Sequence, residues 1–96
     1  MKPSEALELH REAIREIVAR HNATNPRVFG SVLHGEDHEG SDLDLLIAPT
    51  PQTTLFDIGG IRHELLQLLP VPVDVLTPRV LPEKFRFTVL HEAKPI

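Results

Sequence analysis

The chain has 96 residues, 41% of them hydrophobic and 25% charged, with a formal charge of −4 at pH 7. That length suits one small domain over residues 1–96 with one hydrophobic core, and the absence of cysteine excludes a disulfide framework or a thiolate metal site within the chain. No apolar run has the length of a membrane span or the form of a signal peptide, and the negative charge argues against broad nucleic-acid binding and fits a basic protein partner better, so no membrane and no direct nucleic-acid contact are expected and the default location is cytoplasmic.

Ser4 is placed to cap a helix running to about Asn22, whose core stripe is Leu7, Ile14, Ile17 and Val18. Asn22 to Pro26 breaks that helix before a short buried strand, Val28-Phe29-Gly30-Ser31. Ser31 can then cap a short helix, Val32-Leu33-His34, and the acidic stretch Gly35 to Ser41, with its two glycines, is predicted to be an exposed and mobile loop. In Ser41-Asp42-Leu43-Asp44-Leu45-Leu46-Ile47 apolar and acidic positions alternate, which predicts a strand stopped by Pro49-Thr50-Pro51. Thr54 and Asp57 have capping-box spacing and open a helix through Leu69, with Leu55, Ile58, Ile61, Leu65 and Leu68 inward. Gly59-Gly60 weakens that helix by about 1 kcal/mol per glycine relative to alanine, and is either a close-packing point against the sheet or a soft spot. Pro70 ends the helix, Val71 to Leu76 forms another strand, and Pro82 begins a last helix carrying Phe85, Val89 and Leu90. These elements read as a single α/β domain.

Two of these segments carry chemistry. Helix N-termini attract phosphate because their first N–H groups are unpaired. Gly30 lets an anion approach the backbone and the Ser31 hydroxyl can donate to a phosphate oxygen, so the pair makes a triphosphate cradle. A strand over Ser41 to Ile47 puts Asp42 and Asp44 on one face, roughly 7 Å apart at Cα, with Leu43, Leu45 and Ile47 on the other. Pairing with the strand Val71 to Leu76 brings Asp74 to the same carboxylate face. Three clustered carboxylates repel, and a divalent cation resolves that cost. Mg²⁺ prefers oxygen ligands and commonly joins carboxylates to substrate phosphates, and a second ion about 3.5–4 Å away could activate an attacking hydroxyl. The chemistry these residues describe is metal-assisted nucleotidyl transfer.

Gly30-Ser31, ten residues, then Asp42-Leu43-Asp44, with Asp74 on a later strand, resembles the nucleotidyltransferase superfamily that includes DNA polymerase beta and kanamycin nucleotidyltransferase. Length and spacing look most like the minimal nucleotidyltransferase (MNT) domains. The resemblance implies an α+β nucleotidyltransferase fold with a small mixed sheet flanked by helices. It also implies Asp42 and Asp44 as metal ligands and Asp74 as the third carboxylate, with two Mg²⁺ ions and ATP as substrate. Many MNT proteins are antitoxins encoded beside a HEPN ribonuclease toxin, and some transfer AMP to a toxin tyrosine, so the resemblance implies a HEPN-type partner and a hetero-oligomer. One departure matters: many relatives carry arginine or lysine where this chain has His34, and an imidazole carries less positive charge at neutral pH than a guanidinium, so its phosphate contact is expected to be weaker.

Each motif alone has a plain structural reading: Gly30-Ser31 a turn and cap, Asp42-x-Asp44 a solvated strand edge, Asp74 a charge that blocks unwanted edge pairing. Their joint spacing favours the catalytic reading. The six histidines are scattered, with none in a familiar zinc pair. His10 and His21 read as helix-surface or packing residues, His63 and His91 as structural, and His34 and His38 flank the phosphate loop. Arg62, Arg79, Lys84 and Arg86 read first as solvated surface. Two other functions fit the same sequence: a non-catalytic binding module that neutralises its partner by occlusion, and the catalytic subunit of an enzyme modifying a small hydroxylated molecule such as an aminoglycoside.

Overall fold

The computed structural model describes residues 1–96. In chain order it contains α1 (Pro3–Arg20), β1 (Ala23–Phe29), β2 (Leu43–Pro49), α2 (Leu55–Leu68), β3 (Val73–Leu76), a short 3-10 helix (Pro78–Val80), α3 (Glu83–Glu92) and β4 (Lys94–Pro95). The strands form one sheet in the order β3-β2-β1-β4. β1 runs antiparallel to β2 and β4, while β2 and β3 are parallel and joined through α2, as a parallel pair requires a long crossover. The expected mixed sheet flanked by helices is therefore present.

The period-two alternation in β2 decides which face is covered. Leu43, Leu45 and Ile47 are fully buried against Ile14, Ile17 and Val18 of α1 and Ile61 and Leu65 of α2, with Val28 and Val73 beside them. Interiors of this kind are close-packed, so truncating one of these side chains leaves a cavity as well as removing apolar contact. Leu46 points to the other face and is also fully buried, but outside that core. Leu81, just past the 3-10 helix, is buried too and likewise outside the main core, and the 3-10 helix packs over β2. No residue of α3 is buried.

Several element boundaries differ from the sequence reading. The helix α1 starts with Pro3 behind Lys2, not at Ser4; proline suits a first helical position because its missing N–H has no intrahelical partner to lose. The core stripe of α1 is as expected. The segment Asn22 to Pro26, expected as a break, mostly belongs to β1. Asn22 and Asn25 take positive φ of 60° and 49°, and the register shifts between Thr24 and Arg27, a bulge that accommodates Pro26 within the strand.

The expected helix Val32–His34 is a turn only, and β2 begins at Leu43 rather than Ser41. The Thr54–Asp57 capping box is formed, with Asp57 N–H donating to Thr54 Oγ1 (3.1 Å) and Thr54 N–H to Asp57 Oδ2 (2.8 Å). The bond from the Thr54 backbone, with weaker ones from the Asn22 and Thr54 side chains, holds the Asp57 carboxyl below its ordinary range. Leu55 is not inward: it is 86% exposed in the first turn of α2, beside an equally exposed Phe56. Gly60 is a close-packing point, but against the His21 ring rather than the sheet, since a Cβ there would come within 2.6 Å of it.

Candidate active site

The end of β1 and the starts of β2 and β3 meet at one end of the sheet. Parallel pairing sets Asp44 directly opposite Asp74, and antiparallel pairing sets Phe29 opposite Asp44. Asp42, two residues before Asp44, shares its face. Carboxylate oxygens of Asp42, Asp44 and Asp74 lie within 4.8 Å of one another, Asp42 and Asp74 exposed and Asp44 half-buried. None of the three forms an ion pair with a lysine, arginine or histidine. Burial first, then the charges of Asp74 and Asp42, push the Asp44 carboxyl up to about 6. A divalent cation bound among these oxygens would relieve that compression of like charge. A set of carboxylate oxygens alone fits Mg²⁺ or another hard divalent ion, not a thiolate- or imidazole-seeking metal.

Gly30 follows β1 with φ of +73°, and a Cβ there would stand 2.3 Å from Asp44 Oδ2. A side chain at this position would therefore be strained and would also displace the half-buried carboxylate. The chain then makes a tight turn, with His34 N–H donating to Gly30 O (3.2 Å), Gly35 N–H to Val32 O (3.2 Å) and Glu36 N–H to Ser31 O (2.9 Å). The N–H groups of Ser31, Val32 and Leu33 have no acceptor within the chain. A helix dipole is not available here, because the helix is not formed. Successive unpaired amides in a turn can still donate to an anion.

His34 lies in that turn, and its Nε2 is 3.2 Å from Glu92 Oε2 at the end of α3, both side chains being half-exposed. His38 is turned toward its own loop, with Nδ1 contacting Glu39 O at 2.7 Å. The loop from Gly35 to Ser41 is largely exposed but not free. Asp37 Oδ2 accepts the Ser4 N–H of α1 (2.9 Å), a bond that is the leading cause of its lowered pKa, and Glu39 contacts the Met1 amine (2.7 Å). Ser4 thus ties down the loop instead of capping its helix.

Sequence reasoning missed two residues here. Glu92 stands 58 positions from His34, and no periodicity or spacing connects them. Arg27 lies on the carboxylate face of β1, and its Nε is buried without a hydrogen-bond partner; only the sheet register reveals which face it takes.

Residues 9–96 match the family described as "Nucleotidyltransferase domain". A protein of Methanocaldococcus jannaschii, provisionally named a protein adenylyltransferase, is 31% identical over 77 residues, which cover 80% of this chain and 83% of that protein. A solved structure, provisionally described as a minimal nucleotidyltransferase, superposes with a TM-score of 0.85 at 45% identity, covering 97% of this chain and 95% of the other. A toxin–antitoxin complex holding AMP-PNP shares the fold, with a TM-score of 0.72 at 19% identity over 88% of this chain and 69% of that one. The chain belongs to the nucleotidyltransferase domain family, and within it to the minimal nucleotidyltransferases. It is a nucleotidyltransferase. No helix is long and apolar enough to cross a membrane.

Proposed function

We propose that this nucleotidyltransferase moves AMP from ATP to a hydroxyl of a partner protein, using Mg²⁺, and serves as the antitoxin of a toxin–antitoxin pair. The observation that carries the chemistry is the meeting of three carboxylates, within 4.8 Å, beside a turn with three unpaired amides. The protein acceptor draws support from the Methanocaldococcus relative named for protein adenylylation. The antitoxin role draws support from the toxin–antitoxin complex that shares the fold and holds an ATP analogue. A HEPN-type ribonuclease accepting on tyrosine is the partner in this reading. This chain has no tyrosine, so such an acceptor belongs to the partner. Neither surface concavity, one along α1 and one between α1 and α2, is lined by the three aspartates; in this reading the partner completes the pocket over the acid face in a hetero-oligomer.

Asp42, Asp44 and Asp74 would hold the metal in this reading. Bound Mg²⁺ supplies charge neutralisation for the phosphates and lowers the barrier to attack at the α-phosphorus. Ser31 and the amides of Ser31 to Leu33 grip the β- and γ-phosphates, Gly30 leaves room for them, and His34 reaches the terminal phosphate. The acceptor oxygen bonds to the α-phosphorus while the bond to the bridging oxygen breaks. Pyrophosphate leaves and the hydroxyl proton passes to Asp74. The half-buried Asp44 keeps its carboxylate oriented through its register with Asp74 and its contact with Gly30.

The occlusion reading keeps one observation in its favour: Val80, Phe85 and Phe87 are exposed around α3, with Phe87 81% exposed. Label from α-labelled ATP, offered with Mg²⁺ and the co-expressed partner, separates the two. Transfer to the partner by wild type and not by Asp42→Asn/Asp44→Asn is the expected result. Neutralisation that survives the double substitution in an intact complex would establish occlusion.

A further inference from the structure

The helix α3 buries none of its residues; its side chains make polar contacts at two points, and β4, paired with β1 from Lys94 onward, anchors the chain just beyond its end. Near its start, the Arg86 guanidinium donates to the carbonyls of Pro78 (3.0 Å), Arg79 (3.2 Å) and Leu81 (2.9 Å). At its end, Glu92 Oε2 sits 3.2 Å from His34 Nε2 in the phosphate turn. Nε2 is the distal ring nitrogen, the atom of His34 that extends furthest from the turn, while Nδ1 lies nearer the backbone. At that distance the Glu92 carboxylate occupies the space beside Nε2 that an incoming phosphate oxygen would need. The two anions would also repel.

We propose that Glu92 competes with the nucleotide's terminal phosphate for His34 Nε2, so that nucleotide binding displaces Glu92 and releases the C-terminal end of α3 from the phosphate turn. The inference rests on the reading of the Ser31–His34 turn as the triphosphate grip. It makes Glu92 a residue that sets nucleotide affinity, and it links the occupied site to the exposed helix that carries Phe85 and Phe87. Arg86 keeps the start of α3 in place, so the release is local to its last turn. The contact is half-exposed, and breaking such an ion pair changes an equilibrium modestly.

The test uses the full chain and AMP-PNP with Mg²⁺, with binding followed by calorimetry in wild type, Glu92→Gln, His34→Gln and the double variant. Glu92→Gln is expected to tighten binding about three- to tenfold, and His34→Gln to abolish that gain. In wild type the amides of Glu92 and Ala93 are expected to shift in NMR spectra when AMP-PNP binds. Weaker or unchanged binding by Glu92→Gln would mean that the carboxylate orients His34 or does nothing, and overturns the proposal. An equal gain in the His34→Gln background would reduce Glu92 to simple repulsion and overturns it as well, as would unmoved Glu92 and Ala93 amides in a protein that binds. Failure of all four proteins to bind would instead remove the nucleotide reading beneath it. Glu92 is exposed at a helix end, so Glu92→Gln leaves the core untouched.

Discussion

On the face of the sheet covered by α1 and α2, β2 presents Leu43, Leu45 and Ile47, all fully buried. On the opposite face the same strand presents Asp44 beside Asp74, with Asp42 just before it. The first arrangement gains stability from every contact it makes. The second sets like charges together at a cost in the metal-free protein, a cost that a bound cation would relieve. Substitutions that remove side chains should therefore act in opposite directions on the two faces.

The largest effect belongs to the covered face. Leu45→Ala should cost about 2–5 kcal/mol of stability, read from the urea midpoint, through lost contact and a residual cavity. At the junction, Gly30→Ala should cost about 1–3 kcal/mol, because alanine is strained at positive φ and its methyl would collide with the Asp44 carboxylate; the same variant should lose Mg²⁺-nucleotide binding. A variant as stable as wild type would show that Asp44 moves freely and that Gly30 does not shape the site.

Asp44→Asn sharpens the contrast, since here removal of a charge should stabilise. The folded protein holds the Asp44 proton up to about 6, above the ordinary value near 3.8 that applies when unfolded. The folded state therefore binds more protons across that window, and this group's contribution to stability falls as pH rises from about 4 to 6. The stability difference between Asp44→Asn and wild type should grow across the same window to about 1 kcal/mol, allowing for solvent screening of a half-buried group. Above pH 6, added Mg²⁺ should raise the wild-type melting temperature and leave that of Asp44→Asn unchanged. A comparison with the lowered carboxyls matters: Asp37, Asp57 and Glu64 contribute stability that is present at neutral pH and lost on acidification, so only the difference between the two proteins isolates Asp44. The smallest effect, far from the carboxylates, is Thr54→Ala, which should cost about 0.5–1 kcal/mol through its cap and show no dependence on Mg²⁺.

The sequence displayed the covered face well, because burial imposes a period: the stripe on α1 and the alternation in β2 both come from a single apolar side. The three aspartates were legible for the same reason, since two share a strand face and the third sits among β-branched residues. Boundaries governed by local exceptions were harder. Two asparagines at positive φ and a bulge carry β1 through a segment that reads as a break. Ser4 looks like a cap, yet its amide serves Asp37 from across the molecule. Leu55 falls in the helical stripe but occupies the first turn, where α2 has not yet met the sheet. Contacts between distant residues, such as Glu92 with His34, left no local trace at all.

In the proposed function Asp42, Asp44 and Asp74 make the open face a metal–nucleotide site. Titration with Mn²⁺ as a stand-in for Mg²⁺ in the presence of AMP-PNP, with free ion read by electron paramagnetic resonance, tests it most directly. Wild type should take up Mn²⁺ beyond what AMP-PNP alone binds, and Asp42→Asn/Asp44→Asn should not. Equal uptake by the two proteins, both folded, would contradict the account and return the carboxylates to the role of an acidic surface.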